Sequence, residues 1–482
     1  MRSFIQGIKW TVAQQVANMA TNYLSMILLA WYLSPSDFGL VALSTVLVGL
    51  FEVLNGFGIP QLIIKNQVTH RPTLGYYLVI SLFLSIILAL LCIFSALAYV
   101  SWYSGKNQDD LFGIIAASSV GLVFNSTNAI YNAQYHRDLD FKTPIVFALI
   151  STVLGNVLAV GYVMAKGGYW ALVVRNIAPL VLLTLGFVFF SAHRPLLNVR
   201  HSFLPQERRF TFWLSGNQLI NYVSRNLDYV VIGRFFDIGI VGQYSLAYRL
   251  MLFPMKFLSA RVQAVLYPTL VAMKPDPAGL LSFYTKVVSN LGFAVFPLMG
   301  LASVTAPVWM PWMFDMERYD MLLPLMQWLI LAGAFQAVTS PIGTLYMVHD
   351  MVRLMATYST LSASVFLLGY GAGAWSGNIV VFAMIYVLLS VLMNFFASNY
   401  LPLSRLGYPF TAFLQQTLEP LVPAITAFGA VWLFLGATPT YHQGAVMGVA
   451  VLLYGLVYIL AYFCCFRVSL RNKYSKLKGL LY

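Results

Sequence analysis

Fourteen apolar stretches of about 20 residues follow one another almost end to end along this chain. As a helix rising about 1.5 Å per residue, a stretch of that length crosses the roughly 30 Å hydrocarbon core of a bilayer. Hydrocarbon offers no water to an unpaired peptide group, so such a chain is confined to helices that satisfy their own backbone. Composition agrees: 60% of the 482 residues are hydrophobic and 9% charged, against about 25% charged in an ordinary soluble domain. Spans are expected near 10–33, 38–60, 73–102, 111–133, 143–165 and 168–192. Past a polar linker rich in Arg, Pro and His, six more are expected near 210–236, 238–271, 282–306, 321–347, 353–375 and 378–401, and a last pair at 415–436 and 443–466. The predicted fold class is an all-α integral membrane protein of about 14 transmembrane helices. Its expected parts are an N-terminal six-helix lobe (1–200), a C-terminal six-helix lobe (201–405), and two additional helices with a basic tail (406–482).

The basic residues set the orientation. With the N-terminus inside, one face carries Arg2, Lys9, Lys65, Arg71, Arg137, Lys142, Arg194, Arg200, Arg208, Arg209, Lys274, Lys286, Arg353, Arg405 and five more in the tail, while the other carries Lys106, Lys166 and Arg318. Basic loops stay cytoplasmic, so both termini are expected there. The same bias accounts for the formal net charge of +13 without a nucleic-acid partner. The first apolar segment is too long and too polar for a cleavable signal and is expected to remain as the first span. Cys92, Cys464 and Cys465 fall inside predicted helices and read as small packing residues. The outward loop near 306–321 is too short for a catalytic domain. The chain has no P-loop pattern, and its six histidines lack metal-ligand spacing. Neither an enzyme nor a metal site is predicted.

An offset of 203 residues superposes Trp10 on Trp213, Gln15 on Gln218, Asn18 on Asn221, Leu24 on Leu227, Gly39 on Gly242, Leu43 on Leu246 and Leu47 on Leu250. This aligns the starts of spans one and seven, as duplication of a six-helix unit would. An even number of spans per repeat makes the two halves parallel, and transporters often bind substrate between such repeats.

Ionisable groups at membrane depth are costly and mark functional sites by default. Span seven carries Asn217, Asn221, Ser224, Arg225 and Asp228 at helical spacing, and span eight carries Arg249, Lys256 and Gln263 at intervals of seven. Span one adds Asn18 and Asn22, and span four Asn125, Asn128 and Asn132. Together these faces suggest a hydrated cavity. Arg225 and Asp228 could instead pair with each other at i, i+3. Only Glu52 and Asp228 are acids at comparable depth, so Arg225, Arg249 and Lys256 outnumber them, and an excess of guanidinium and ammonium suits phosphate or carboxylate. Arg175, Arg234 and Arg261 lie nearer span ends and are expected to snorkel. Asp228 and Glu52 are candidates for coupling to H+ or Na+, or they simply pair with cations. Gly444 and Gly448, in small-xxx-small spacing, are expected to pack span fourteen closely. An alternative is that spans thirteen and fourteen hold a lipid tail.

Several segments resemble a known family. They are Tyr32-Leu33-Ser34-Pro35-Ser36-Asp37-Phe38-Gly39, Phe57-Gly58-Ile59-Pro60, Arg137-Asp138-Leu139-Asp140-Phe141-Lys142, Arg225-Asn226-Leu227-Asp228 continuing to Ile232-Gly233-Arg234, Tyr244-Ser245-Leu246-Ala247-Tyr248 and Pro341-Ile342-Gly343. In this order they resemble Wzx-type polysaccharide flippases of the MOP (MATE-like) superfamily, nearest to the colanic-acid type. The resemblance implies a bacterial inner-membrane flippase that moves undecaprenyl-pyrophosphate-linked oligosaccharide repeat units from the cytoplasmic to the periplasmic leaflet by alternating access, for exopolysaccharide or lipopolysaccharide assembly. It implies membrane lipid and a polysaccharide polymerase as further partners, and no cofactor beyond a coupling ion. A lipid II flippase or an organic-cation exporter of the same superfamily are the alternatives. The orientation is testable by placing single cysteines in a background lacking the native three. A membrane-impermeant maleimide added outside the inner membrane is expected to label position 106 or 166 in intact cells, and position 200 or 208 only after permeabilisation.

Overall fold

The computed structural model describes residues 2–55, 58–65, 68–103, 108–138, 140, 142–191, 218–219, 222–223, 225–253, 255–437 and 443–478; the side chains of residues 2–13, Lys65, Ala260, Arg261, Ala264, Val265, Pro268, Val352, Gln443 and residues 465–478 lie outside that description. Helices and short turns make up all of it, and no strand occurs among the described residues. Two compact units divide the chain, Met1–Ser245 and Leu246–Tyr482.

In the first unit α1 (Arg2–Tyr32) and α2 (Pro35–Asn55) are separated by a cap written in the sequence. The N–H and hydroxyl of Ser34 donate to the Asp37 carboxylate (2.8 and 2.7 Å), and the Asp37 N–H donates back to Ser34 Oγ (3.3 Å). Reciprocal capping satisfies N–H groups that the first turn leaves over, and Pro35 occupies a position where a missing N–H costs nothing. Gly58, at φ +66°, turns the chain into α3 (Ile59–Lys65), so the predicted second span is two helices. α4 (Arg71–Trp102), α5 (Gln108–Arg137), α6 (Lys142–Lys166) and α7 (Trp170–Phe190) follow. Asp140 caps α6, accepting from the N–H groups of Lys142 and Thr143 (3.1 and 3.2 Å) and from the Thr143 hydroxyl (2.6 Å). Phe187 is fully buried among Tyr131, Tyr135 and Phe147, locking α5, α6 and α7 together. Along α4 the large side chains point outward: Phe83, Ile87, Leu90, Phe94 and Leu97 are exposed, Phe94 at 73%, while Ser81, Ser85, Ala89, Cys92 and Ala96 face in. Bulky apolar groups outside and small or polar groups inside is the pattern of a helix bathed in lipid. α8 is described over 225–235, and α9 (Ile238–Met251) begins with Asp237 Oδ1 accepting from the Gly239 N–H (2.8 Å).

The second unit contains α10 (Ala260–Ala272), α11 (Pro277–Val304), α12 (Ala306–Met313), α13 (Leu322–Thr339), α14 (Ile342–Val348) and α15 (Val352–Trp375). They are followed by α16 (Ile379–Leu389), α17 (Ser398–Arg405), α18 (Phe410–Leu418), α19 (Leu421–Ala437) and α20 (Gln443–Lys478). Two π-helical turns interrupt the series, Met255–Ser259 before α10 and Ser390–Ala397 before α17. Tyr284 donates to Asn399 Oδ1 (3.1 Å) and Tyr346 to the Ser398 carbonyl (3.0 Å), which ties α11 and α14 to α17. Among the described residues ten helical stretches are long and apolar enough to cross a membrane. Of the other four predicted spans, the first and eleventh are the continuous helices α1 and α15, the eighth is broken, and the seventh is described only in part.

Three expectations are corrected here. The segment 306–321 is not all loop, because Ala306–Met313 is helical. The eighth span is α9, a π-helical turn and α10; Pro254, beside the break, lies outside the described residues. Gly444 and Gly448 do not mediate a close helix contact, since a Cβ on either would meet nothing within 4 Å. α20 is seated instead by Tyr454 and Ala450, which are buried with Val304, Ala427 and Val431.

The tightest packing is where α2 crosses the start of α9. A Cβ on Gly39 would collide with the carbonyl of Ile238, and one on Gly242 would collide with the carbonyl of Pro35 and lie 2.8 Å from the Gly39 nitrogen. Gly39 and Gly242 are the pair superposed by the 203-residue repeat. The contact leaves no room for a methyl group at either position. Gly242→Leu or Gly39→Leu is expected to remove most folded protein, at a cost above about 4 kcal/mol. Gly161→Leu, which enters open space, is expected to leave it intact. Membrane-inserted protein that elutes as one peak in detergent is the measure.

Candidate functional site

Polar side chains in hydrocarbon need partners, and their bonds in the first unit show which of them are structural. Arg175, on α7, was expected to snorkel to an interface. It points inward: its Nε donates to Ser25 Oγ (3.1 Å) and Asn156 Oδ1 (3.2 Å), and its Nη2 to the carbonyl of Asn22 (3.0 Å) and Asn22 Oδ1 (3.4 Å). One planar guanidinium joins α1, α6 and α7 because its forked donors can reach three helices at once. Asn22, expected on a hydrated face, is thus partly occupied by Arg175, and its own Nδ2 donates to the Asn18 carbonyl (2.8 Å). Asn128 is also reassigned. It is 2% exposed, donates to the Leu180 carbonyl (3.0 Å) and accepts from Thr184 (2.9 Å), so it binds α5 to α7. Asn18 keeps a buried Oδ1 that has no partner among the described residues.

The alternative pairing of Arg225 with Asp228 is not formed. Asp228 is 2% exposed and turned to Tyr244, whose hydroxyl donates to Oδ2 (2.8 Å), and to the Tyr229 N–H, which donates to Oδ1 (2.9 Å). Arg225 is exposed on α8. Tyr244 had been quoted only as part of a motif; its hydroxyl is the partner that helical spacing within span seven could not reveal. Arg234 is exposed at the end of α8, with its guanidinium carbon 6.0 Å from the centre of the Trp102 ring, a cation–π contact of the kind that holds an amphipathic tip at an interface. Asn221 and the side chain of Arg261 lie outside the described residues.

Arg249 and Lys256 belong to the second unit. Arg249 is half-buried in the last turn of α9, and Lys256 is exposed on the π-helical turn, its N–H still bonded to the Leu252 carbonyl (3.0 Å). The two positive charges act on each other. Ser259, at the end of the turn, donates to the Ala337 carbonyl (2.8 Å), and Gly333 on α13 lies against Met251 so closely that a Cβ would sit 2.6 Å from its carbonyl oxygen. A π-helical turn changes the register of the helix and recurs at functional sites. Here it carries Lys256 in its second position, braced from both sides by α13.

Glu52, on α2, accepts a hydrogen bond from Asn125 Nδ2 on α5 (2.7 Å). Three residues further on, Asn55 donates to the Leu122 carbonyl (2.7 Å). Asn125 and Asn132 therefore share a face with Glu52 that Asn128, between them, does not.

The family model described as polysaccharide biosynthesis protein matches residues 28–320. The lipopolysaccharide biosynthesis protein WzxC of Escherichia coli K12 is 25% identical over 372 residues, 75% of this chain and 73% of that protein. The succinoglycan biosynthesis transport protein ExoT of Rhizobium meliloti is 22% identical over 275 residues, 57% of this chain and 55% of that one. Among solved structures, the lipid II flippase MurJ in an inward closed conformation has a similar fold, with a TM-score of 0.74 over 97% of this chain and 100% of that one at 12% identity.

The Arg175 junction yields a stability test. Arg175→Leu leaves the acceptors on Asn22, Ser25 and Asn156 without their donor, at about 1–3 kcal/mol for each buried group orphaned. Its thermal midpoint in detergent is expected to fall clearly below wild type. Arg175→Lys is expected to recover only part of the loss, since an ammonium lacks the planar fork.

Proposed function

The chain belongs to the polysaccharide biosynthesis protein family, and from that premise we propose that it is a flippase carrying undecaprenyl-pyrophosphate-linked oligosaccharide repeat units from the cytoplasmic to the periplasmic leaflet of a bacterial inner membrane. The observation that carries the reading is Arg249 and Lys256 held one after the other across a braced π-helical turn at membrane depth. A guanidinium near an ammonium makes a strongly positive group, and a pyrophosphate, with its several anionic oxygens, is the ligand chemistry that suits it. In the first unit Arg225, Asn221 and Asn18 are further substrate contacts in this reading. Both termini are cytoplasmic in this reading. The lobes 1–200 and 201–405 alternate in exposing the site, and the polyprenyl chain stays in lipid beside α19 and α20. Coupling falls to Asp228 or Glu52. Asp228 is preferred, because its described partners are neutral donors and its charge can change without breaking an ion pair. The driving ion is H+ or Na+, and a polymerase takes the product on the far side.

An organic-cation exporter would need acids directed at its substrate. At depth Arg225, Arg249 and Lys256 outnumber the two acids, and Asp228 is turned to Tyr244. In cells lacking their own exporter, wild type is expected to restore surface polysaccharide. Arg225→Ala with Lys256→Ala is expected to lower it at least about tenfold, equivalent to some 1.4 kcal/mol, at equal membrane level. Undiminished export by that double variant overturns the assignment of the cations.

A further inference from the structure

Between α2, α3 and α5 the first unit encloses a pocket of about 400 Å³ whose polar lining includes Glu52, Asn55, Asn125, Asn132, His136 and Gln218. Small-ligand sites begin at about 300 Å³ and use a few convergent polar groups, so both size and lining fit a bound molecule. Gly58, in the turn after α2, lines one side. On the orientation above, this end of α2 and α5 is the cytoplasmic one, since Lys65, Arg71 and Arg137 follow it.

The hydrogen-bonding state says what the molecule must offer. Asn55 is 2% exposed, and its Oδ1 is buried without a partner, although its Nδ2 is satisfied by the Leu122 carbonyl. That oxygen is shut off from solvent, so Asn55 braces the pocket wall from behind and is not offered to a ligand. Glu52 gives Oε1 to Asn125 and keeps a second oxygen for another donor. Asn132 and Gln218 each bring two N–H donors and one acceptor. A phosphate has only acceptors and would face the Glu52 carboxylate. A compact metal ion could not span a 400 Å³ pocket with one carboxylate, and no cluster of three His, Cys, Asp or Glu suited to a metal occurs among the described residues. A ligand dense in both hydroxyl donors and oxygen acceptors satisfies all of these groups together.

We propose that this pocket is a glycan subsite, taking an uncharged sugar ring whose hydroxyl or amide hydrogens donate to Glu52 and whose oxygens accept from Asn132 and Gln218. The inference rests on the flippase reading, and adds a place where the sugar is recognised apart from the cations. A site built to bond hydroxyl groups discriminates strongly against a ligand lacking them, because its own polar groups are then stranded.

The test uses the full chain in nanodiscs and two probes, synthetic undecaprenyl pyrophosphate and the lipid-linked oligosaccharide extracted from a strain that makes the polysaccharide. Wild type is expected to bind the glycan-bearing lipid at least about tenfold more tightly than the bare one. Glu52→Gln, nearly isosteric, and Asn132→Ala are each expected to bring the two affinities within about threefold, and Asn132→Ala is expected to leave binding of the bare lipid unchanged. Arg249→Ala is expected to weaken both. Asn125→Ala, checked for a wild-type elution profile, is a further variant on the same face. If the glycan preference survives in Glu52→Gln and Asn132→Ala, the subsite is wrong and the flippase reading stands. If Glu52→Gln alters only the H+ or Na+ dependence of transport, the pocket is an ion site and the inference falls. Failure of wild type to bind either lipid overturns the flippase reading and the subsite together.

Discussion

The crossing of α2 and α9 is a contact of backbone on backbone. Gly39 meets the carbonyl of Ile238, and Gly242 meets that of Pro35, with side chains removed from both surfaces. In lipid, helices gain nothing by hiding apolar groups from one another, so close van der Waals approach has to supply the attraction. Much of the first unit is arranged to present these surfaces. The reciprocal cap between Ser34 and Asp37 starts α2 at the residue that puts Gly39 one turn inside it, and Asp237 does the same for Gly242 in α9. Further along α2, Gly49 accepts the ring of Tyr222, whose hydroxyl bonds the carbonyls of Thr45 and Val46 (3.2 and 3.0 Å).

The helices were legible because the bilayer imposes one length and one composition on every span. Their interruptions were partly legible too. Ser34-Pro35, Pro341-Ile342-Gly343 and Asp140 all sit at breaks or caps. This explains why the family's motifs, read in order along the chain, are largely marks of where helices start and stop. What periodicity could not give was the direction of a polar side chain relative to helices far away in sequence. Arg175 is near a span end by count, yet its acceptors are 19 residues away in α6 and some 150 in α1. Asn128 belongs to the same stripe as Asn125 and Asn132 on a helical wheel, but α7 stands on its side and takes it. Gly444 and Gly448 show the converse, a packing motif with no helix opposite. In each case the deciding partner lay outside the window in which periodicity is read.

The ionisable groups at depth are handled differently in the two units. In the first, Arg175 is matched to neutral oxygens, and Asp228 and Glu52 to neutral donors, so each charge is stabilised by dipoles without an opposite charge beside it. Dipoles fixed by packing leave a group able to change its protonation or its partner without first breaking an ion pair, which a transport cycle requires. In the second unit Arg249 and Lys256 reinforce each other's field at a place where the helix is re-registered by a π turn. A regular helix puts positions seven apart almost in line, and the Lys256 N–H keeps its α-helical bond to the Leu252 carbonyl, so the change of register falls beyond Lys256, between it and α10.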